Sequence, residues 1–526
     1  MNWIWALPFV LLPLQPAWFM AVAALVGLWG VMRGLRPLAG WFGLAALLGM
    51  GGQFLTPTSL YTVPALPEYI KQTKSESRAS NLIRPFDLNA LHGWNHSDER
   101  GGWAVPLGDG FWRLPRYNPE SGREQSEFLT DHWYPVEPGQ TYTQSFYLRH
   151  DGQQARLQIT FFTNRGQHNP VPTYVESVGT GVYRVWGSYT AKEGDSSVRA
   201  IDLLNQGGDF TYLEIGWAQL EAGTEPSPYR PGHTGELSSL QRAWAWGTQM
   251  LLGWLVLVGG WFWRRHVDGR WVVGFVLLGL TLHLGYALWQ LQDHNLGRAW
   301  GLTPQPNLLG HTAVMMGGLL QLLGGWRIGL LGLLGAGLGV AVSGSRTAFL
   351  ALLALGLFWV WSLPRGRRWV LLTLGVSMLV FWRWPEVLGR LGQLGLDSSG
   401  QSRLQFWQVA WEAFLQHPVW GIGWSHFPLF FLQNPPPDFI EFPTHTHNLV
   451  LSLLAEGGMT LLVAFLLLNV GVLYRLVAGR SWPVVALWVL ALGLNILDYS
   501  YFYAGVFGTL WIAVGWALGH VQYRCE

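Results

Sequence analysis

Charged residues are scarce in this sequence. Asp, Glu, Lys and Arg make up 12% of its 526 residues, whereas an ordinary soluble domain has roughly 25%. A soluble protein of this length would need more charge to cover its surface, so we exclude that class. Hydrophobic residues make up 50% of the chain. Apolar runs of about 20 residues, long enough to cross a hydrocarbon core ~30 Å thick, recur along it. The composition therefore predicts a polytopic membrane protein.

Cysteine is nearly absent. Cys525 is the only one, so no disulfide can form within the chain. Residues 1–5 carry no basic side chain, and no cleavable signal peptide is expected. The formal net charge of +2 does not indicate a class of partner, because in a membrane protein the positions of the charges matter more than their sum.

Three regions differ in composition. We predict transmembrane helices in 1–54, a polar domain in 55–240 and a second transmembrane region in 241–526. Polar and apolar residues alternate in four stretches of the middle region, which predicts β-strands. These stretches are "QTYTQSFYLRH" (140–150), "ARLQITFFTN" (155–164), "GVYRVWGSYT" (181–190) and "FTYLEIGWAQLEAG" (210–223).

The middle region is long enough to bury its own core, most simply as a β-sandwich. The stretch 210–231 resembles the last strands of jelly-roll carbohydrate-binding modules. A carbohydrate-binding role is therefore one interpretation of this domain. The other is a generic sandwich whose aromatic side chains form the core.

Arginine positions predict how the helices cross the membrane. If the β domain lies outside, the short basic gaps fall on the inner side, as the positive-inside rule requires. These gaps contain Arg33 and Arg36, Arg264 and Arg265, Arg327, residues 365–368, Arg475 and Arg480, and Arg524. We predict spans at 38–54, 243–263, 271–291, 306–325, 328–343, 347–363, 369–384, 448–474, 482–500 and 503–521, and an external loop at 385–446. For residues 3–32 we favour a hairpin at Pro-Leu-Gln-Pro (13–16) over one kinked helix. The total is then about 11–12 spans.

Arginines on the outer side depart from this rule. Arg298 lies in a short external loop, and Arg403 lies in the long one. Arg346 follows Ser-Gly-Ser at a sharp reversal between two apolar helices. Guanidinium groups bind phosphate oxygens through paired hydrogen bonds, and a helix N-terminus adds backbone amides that favour an anion. An ion pair of Arg346 with Glu456 or Asp498 is the competing explanation.

The segment "THTHNLVLSLLAEGG" (444–458) places two histidines and a glutamate where a helix enters the membrane. His445 and His447 have three interpretations. Each is a buried side chain bonded to a backbone carbonyl, or both bind a metal with Asp438 and Glu441, or one is a general base. A neutral imidazole with a pKa near ~6.5 accepts a proton at physiological pH. Two histidines at i, i+2 on a loop are a weak metal signature, and we expect no metal.

Four short segments follow one another in the second transmembrane region: "PNLLGHTAVM" (306–315), "VSGSRTAFLAL" (342–352), "SRLQFWQVAWEAFLQHPVWGIGWSHF" (402–427) and "HNLVLSLLAEGG" (447–458). In this order they resemble the Pro-Asn, Ser-Arg, Arg…Trp…Pro-x-x-Gly-x-Gly and His-Asn-x-x-Leu…Glu-x-Gly segments of the O-antigen ligase and polymerase superfamily. That superfamily comprises bacterial membrane glycosyltransferases that use undecaprenyl-linked glycans. The resemblance covers most of 295–475. It implies a polytopic α-helical, GT-C-like fold, here with an inserted extracytoplasmic all-β domain that the ligase core does not typically contain.

The resemblance also implies which residues carry the reaction. His447 would be the general base. Glu456, further along the same helix, would belong to the catalytic site and either pair with an arginine or orient the helix. The remaining candidates are the diphosphate-binding Arg346, Arg403 and Arg298, and the auxiliary His445, Asn448, Asn307 and Asp498.

The implied reaction transfers a glycan from an undecaprenyl-diphosphate-linked donor to an acceptor hydroxyl. It would take place on the periplasmic face of the bacterial inner membrane, with membrane lipids as partners and without metal, other cofactor or nucleic acid. The acceptor is lipid A–core, a growing glycan or a protein. "TPQPN" (303–307) is also similar to O-linked protein oligosaccharyltransferases, so ligase, polymerase and protein-glycosylating enzyme remain alternatives.

A non-enzymatic polysaccharide or lipid transporter, or a receptor, is the alternative from another class. It would need polar residues through the bilayer midplane and broken helices in paired halves. The polar residues of this sequence crowd the outer ends of the predicted helices instead.

Overall fold

The structure is a computed structural model of the full chain. It describes residues 2–56, 82–83, 91–95, 100–107, 109–114, 125–130, 132–150, 157–205, 212–227, 229, 237–293, 298–362, 398–436, 443–496 and 498–522. The predicted span 369–384, residues 385–397 and 437–442 of the predicted loop, with Asp438 and Glu441, and Cys525 lie outside these ranges.

The chain divides into two units. One comprises Met1–Thr56, Ser238–Phe427 and His445–Glu526, and the other comprises Pro57–Leu237 and Pro428–Thr444. The described helices are a 3₁₀ helix at Asn2–Val10 followed by α1 (Leu11–Leu14), α2 (Pro16–Met32), α3 (Ala39–Leu55), α4 (Ser239–His266), α5 (Gly269–Asp293), α6 (Pro306–Ser343), α7 (Arg346–Ser362), α8 (Ser398–Gln416), α9 (Phe427–Gln433), α10 (Leu449–Ala478), α11 (Trp482–Leu494) and α12 (Ala504–Gln522).

Several of these helices have the composition of membrane spans. Among the described residues, four are long and apolar enough to cross a membrane: Ser239–His266, Gly269–Gln292, Pro306–Gly325 and Leu449–Ala478. Seven shorter apolar helices accompany them. The prediction of a helical membrane protein with a separate β region is confirmed at this level.

Two glycines divide long helices. Gly325 has a φ of 71° inside α6, and Gly458 has a φ of 60° inside α10. Only glycine adopts such angles without steric cost. Gly325 separates the two spans that the sequence predicted at 306–325 and 328–343. Gly458 divides α10, which was predicted as a single span at 448–474.

The N-terminal segment bends sharply at Gln15, whose φ and ψ are −137° and 74°. The rings of Phe9 and Phe19 lie 5.3 Å apart across this bend. In one straight helix, positions ten residues apart are separated by about 15 Å along the axis. The geometry therefore supports the hairpin interpretation of residues 3–32.

The predicted helix at 482–500 is wrong at its end. Helix α11 stops at Leu494, because the side chain of Asn495 closes a turn: its Oδ1 accepts hydrogen bonds from the backbone N–H groups of Ser500 and Tyr501, each at 2.6 Å. Asp498 consequently lies in the turn between α11 and α12, not on a helix.

The second unit contains two antiparallel sheets. Their strands are β1 (Leu91–Asn95), β2 (Arg100–Trp103), β3 (Val105–Pro106), β4 (Phe111–Arg113), β5 (Gln125–Thr130), β6 (Trp133–Pro135), β7 (Thr141–His150), β8 (Leu157–Thr163), β9 (His168–Pro170), β10 (Tyr174–Gly179), β11 (Val182–Thr190), β12 (Ser197–Asn205) and β13 (Leu213–Ala222). One sheet has the order β2-β1-β5-β12-β8-β9, with β6 paired to β12, and the other has the order β10-β11-β7-β13-β4-β3.

One hydrophobic core joins the two sheets. Ile159, Phe161 and Leu203 from the first sheet pack with Phe146 and Ile215 from the second. Side chains of a strand point alternately to opposite faces, so each sheet buries one face in this core. The unit is a β-sandwich, and all four predicted strands occur, as β7, β8, β11 and β13.

Candidate active site

Asp498 is the centre of a polar cluster in the helical unit. Its side chain is 3% exposed. Nδ1 of His447 lies 3.2 Å from Oδ1, and Asn307 donates from Nδ2 to Oδ2 at 3.1 Å. Nη2 of Arg403 lies 3.9 Å and Nε2 of His311 4.0 Å from Oδ2. A buried carboxylate requires such compensation, and here four side chains from three segments of the chain supply it: α6, α8 and the loop before α10.

The loop before α10 holds His447 in place. His447 has a φ of 52°, an uncommon conformation for a residue other than glycine. Asn448 follows it as the N-cap of α10 and accepts a hydrogen bond from Leu451 N–H at 3.0 Å. Asn448 also donates from Nδ2 to the carbonyl of Ile496 at 2.8 Å. The predicted auxiliary residue Asn448 thus joins the histidine loop to the turn that carries Asp498.

Helix α8 contributes Arg403 and Phe406. Arg403 extends to Asp498, and the Phe406 ring lies roughly parallel to that of His447, with centroids 5.9 Å apart. These residues are three positions apart, so they lie on one face of the helix. The same face therefore supplies a cation and an aromatic surface to the cluster.

Arg298 joins the cluster through Asn307. It donates from Nη2 to Oδ1 of Asn307 at 2.7 Å and from Nε to the Ser343 carbonyl at 2.7 Å. Asn307 is the second residue of α6, directly after Pro306. Its amide bridges Arg298 and Asp498, because the oxygen accepts from the cation and the nitrogen donates to the carboxylate.

Arg346 is the first residue of α7. Gly344, two residues earlier, has a φ of 60° and ends α6. The next residue, Thr347, shares a 2.8 Å hydrogen bond with Nε2 of the buried His311. Arg346 is therefore adjacent in the chain to a member of the Asp498 cluster.

Glu456 makes a different contact. Its Oε1 accepts a hydrogen bond from the backbone N–H of Phe427 at 3.1 Å. The carbonyls of Ala455 and Glu456 also accept hydrogen bonds from Ile422 and Gly423 N–H. The described contacts of Glu456 attach the segment 421–427 to α10. They include no arginine, so of the two roles expected for this residue they favour that of orienting a helix.

His445 lies beside His447, with ring centroids 4.2 Å apart, and its other side faces Tyr499 at 5.0 Å. Removal from water and the neighbouring His447 lower the pKa of His445 to about 3, so its imidazole is neutral at physiological pH. One ligand atom from each of His445, His447 and Asp498 lies within 4.8 Å of the others. Among the residues that the structure describes, these three could hold a metal ion.

The surroundings of Asp498 keep it ionised. Burial alone would raise the pKa of this carboxyl group. The hydrogen bond from His447 and the charges of His311, His447 and Arg403 outweigh burial, so its pKa falls below the usual range. An ionised Asp498 favours the proton on Nδ1 of His447, which leaves Nε2 as the hydrogen-bond acceptor of the neutral ring.

A comparison with known protein families gives a match within the helical unit. Residues 331–466 match the family model described as O-antigen ligase. The predicted resemblance to this superfamily is confirmed. The O-antigen ligase match includes Arg346, Arg403, His447 and Glu456, and Asp498 lies beyond its end. No curated protein matches the chain.

The structure brings together most of the site residues that were predicted from the resemblance to O-antigen ligases. His447, Arg403, Arg298, Asn307 and Asp498 form one connected cluster, and His445 packs against it. His311 and Thr347 were not among the site residues predicted from the sequence. One signal was present: His311 follows Asn307 by four residues, which places both on the same face of α6.

Proposed function

We propose that this protein transfers a glycan from an undecaprenyl-diphosphate-linked donor to an acceptor hydroxyl on the periplasmic face of the inner membrane. The observation that carries the proposal is the contact of His447 Nδ1 with Asp498, next to Arg403 on the same carboxylate. A base and a cation at one point meet the two requirements of this reaction, which are removal of a proton and stabilisation of a diphosphate.

In the proposed reaction, Nε2 of His447 accepts the proton of the acceptor hydroxyl. The acceptor oxygen forms a bond to the anomeric carbon of the donor sugar as the bond from that carbon to the phosphate oxygen breaks. The electron pair of the broken bond leaves with the undecaprenyl diphosphate. Because attack and departure occur on opposite sides, the anomeric configuration inverts. Asp498 orients the imidazole and stabilises the imidazolium that forms.

Arg403, Arg346 and Arg298 are proposed to bind the diphosphate, because preorganised cations lower the energy of charge that develops on a leaving group. Glu456 is proposed to act at a distance, by holding segment 421–427 and the first turns of α10. His445 and Asn448 are proposed to position His447. None of these roles uses a metal.

A cavity between α7 and α11 supports a lipid-linked donor. It has a volume of about 550 Å³ and is lined by apolar side chains, except at Thr347. Thr347 binds His311, which lies next to Asp498. A polyprenyl chain in this groove would thus have its diphosphate end near the arginines. The apolar groove matches the polyprenyl chain of the donor, and the cationic end matches its diphosphate.

A glycan-binding role for the β-sandwich is supported by a row of side chains on the outer face of the first sheet. Trp133, Arg199, Phe162 and His168 are directly opposite one another on β6, β12, β8 and β9. Arg199 lies over the rings of Trp133 and Phe162, at 4.8 and 5.5 Å. The Trp133 side chain remains 41% exposed, and an exposed aromatic ring suits the apolar face of a sugar. Loss of glycan binding in full-length Trp133→Ala, but not in Trp244→Ala on α4, would support this role.

The main test is transfer from a purified lipid-linked donor by the protein in nanodiscs. His447→Ala should abolish product formation. The control is His266→Ala, at the exposed last residue of α4, which should not. Substantial transfer by folded His447→Ala protein would refute the role of the base. Separate reactions with lipid A–core, free glycan and protein acceptors would distinguish ligase, polymerase and protein-glycosylating activity. No transfer to any acceptor by the native protein would favour the non-enzymatic alternative.

A further inference from the structure

Helix α10 is longer than a membrane span. Its 30 residues extend about 45 Å, whereas the hydrocarbon core is ~30 Å thick. The part after the break at Gly458, Met459–Ala478, is about 30 Å long by the same rise. This part alone matches the thickness of the core.

Exposure changes at the same residue. Before Gly458, the residues of α10 are buried or half-buried in the protein except Val450. After it, apolar side chains are exposed at Val463, Leu466 and Val470, as in a helix with one side facing lipid. The exposed apolar side of α10 therefore lies mainly after the break at Gly458.

The end of helix α8 is attached at this level. Just after its last residue, Pro418 accepts a hydrogen bond from Met459 N–H at 2.9 Å, and the carbonyl of Val419 accepts from the backbone and side chain of Thr460. A Cβ atom at Gly458 would collide with the Val419 backbone. The C-terminal end of α8 is thus fixed to α10 at the break.

Helix α8 has two apolar faces. One is buried and contains Phe406, Val409, Ala410 and Ala413. The other contains Leu404, Trp411 and Leu415. Trp411 and Leu415 follow Leu404 by 7 and 11 residues, a spacing that places all three on one side of a helix. These three side chains are 47–59% exposed, and Val419 just beyond the helix is 50% exposed. The exposed Gln408 lies beside them. An exposed apolar face of this kind indicates a binding surface.

We propose that this second face of α8, formed by Leu404, Trp411, Leu415 and Val419, lies in the interfacial layer of the membrane and binds lipid. A helix with an apolar face lies parallel to the surface at this depth, and tryptophan is enriched there. Gln405 and Glu412 flank the face on the side where such a helix meets water. The partner is the lipid bilayer itself. The segment of α10 after Gly458 has the length of a span and exposes apolar side chains, so the break lies where α10 enters the hydrocarbon core and α8 is attached at that level.

This placement has a consequence for the active site. The buried face of α8 carries Arg403 and Phe406 to Asp498 and His447. Lipid on one side of α8 and the active site on the other would fix the depth of Arg403 relative to the phosphates of the bilayer.

The test measures the depth of labels on α8. In a Cys525→Ser background, Leu415→Cys, Gln416→Cys and Val470→Cys are each introduced and spin-labelled. The protein is placed at one copy per nanodisc of phosphatidylethanolamine and phosphatidylglycerol. Collision rates with oxygen, which concentrates in lipid, and with a water-soluble nickel chelate are then measured. Leu415 and Gln416 are adjacent and both exposed, but they point about 100° apart. Val470 is the reference within the membrane.

We expect the label at Leu415 to have a several-fold higher ratio of oxygen to nickel collisions than the label at Gln416, approaching that at Val470. Equal ratios at 415 and 416, both dominated by nickel, would overturn the proposal. Low collision rates with both reagents at 415 would also overturn it, since they would mean that protein, for instance a second copy, covers this face. The measurement does not depend on glycan transfer, so its result is separate from that of the His447 test.

Discussion

Nδ1 of His447 lies 3.2 Å from Oδ1 of Asp498, although 51 residues separate them in the chain. The contact depends on two neighbouring loops: His447 precedes α10, and Asp498 lies in the turn after α11. Two hydrogen bonds join these loops, from Leu449 N–H to the Asn495 carbonyl and from Asn448 Nδ2 to the Ile496 carbonyl, each at 2.8 Å. The histidine and the carboxylate are thus held by the backbone as well as by each other.

The first prediction concerns the charge of Asp498. Asp498→Asn keeps the size of the side chain but removes the charge that favours the Nδ1 proton of His447. We expect kcat for glycan transfer to fall by about 10²- to 10⁴-fold, the range attributed to general acid–base catalysis. The KM for the acceptor should change little. Steady-state kinetics in nanodiscs would measure both.

Asp268→Asn is the matched control for this substitution, because Asp268 is exposed and pairs only with the nearby Arg270 among its described contacts. It should leave kcat unchanged. An Asp498→Asn protein with native kcat would show that His447 does not depend on the carboxylate.

The second prediction separates the charge of Arg403 from its geometry. If Arg403 binds the diphosphate through paired hydrogen bonds, Arg403→Lys should restore only part of the activity lost in Arg403→Ala. A hydrogen bond to a charged group contributes about 1.5–3 kcal/mol, so we expect transfer by Arg403→Ala to fall by roughly 10- to 100-fold. The donor concentration dependence measures this loss. Equal activity of the lysine variant and the native protein would mean that only the positive charge at this position matters, and not the paired hydrogen bonds.

The third prediction concerns the groove between α7 and α11. Gly493 lines it, and a Cβ atom there would meet nothing within 4 Å. Gly493→Leu should therefore fold normally but occupy space proposed for the polyprenyl chain. We expect a higher KM for long-chain donors and a smaller effect on short-chain analogues.

The control is Gly43→Leu on α3, where a Cβ atom also meets nothing within 4 Å. Gly43 is not one of the residues that line the groove. A KM that rises equally in both variants, or in neither, would argue against this location of the lipid chain.

Part of this architecture was predictable because it depends on local patterns. Apolar runs and alternation predicted the helices and the four strands, and short motifs predicted His447 and Arg403. The interaction of His311 with Thr347 was not predictable in this way, because it arises where α6 and α7 pack together. The end of α11 was missed for a related reason: a single side chain, Asn495, forms a turn within an otherwise apolar stretch.

The last prediction concerns the dependence of stability on pH. The pKa of His445 is about 3 in the folded protein and about 6.5 when unfolded. Between these values the unfolded state binds a proton that the folded state does not. Stability is therefore highest above pH ~6.5 and falls as the pH decreases toward 3, by up to about 1.4 kcal/mol per pH unit. The low pKa of Asp498 adds a similar loss only at pH values below about 4.

Of these two residues, His445 thus accounts for most of the loss of stability between pH 6.5 and 4. Thermal unfolding in detergent, measured at half-unit steps through this range, should show a decrease in Tm for the native protein. His445→Gln removes the titrating group while keeping a polar side chain, so the decrease should become shallower. His266→Gln, at an exposed position, should retain the native profile. If His445→Gln and the native protein lose Tm equally as the pH falls, the imidazole of His445 is protonated in the folded state and does not remain neutral beside His447.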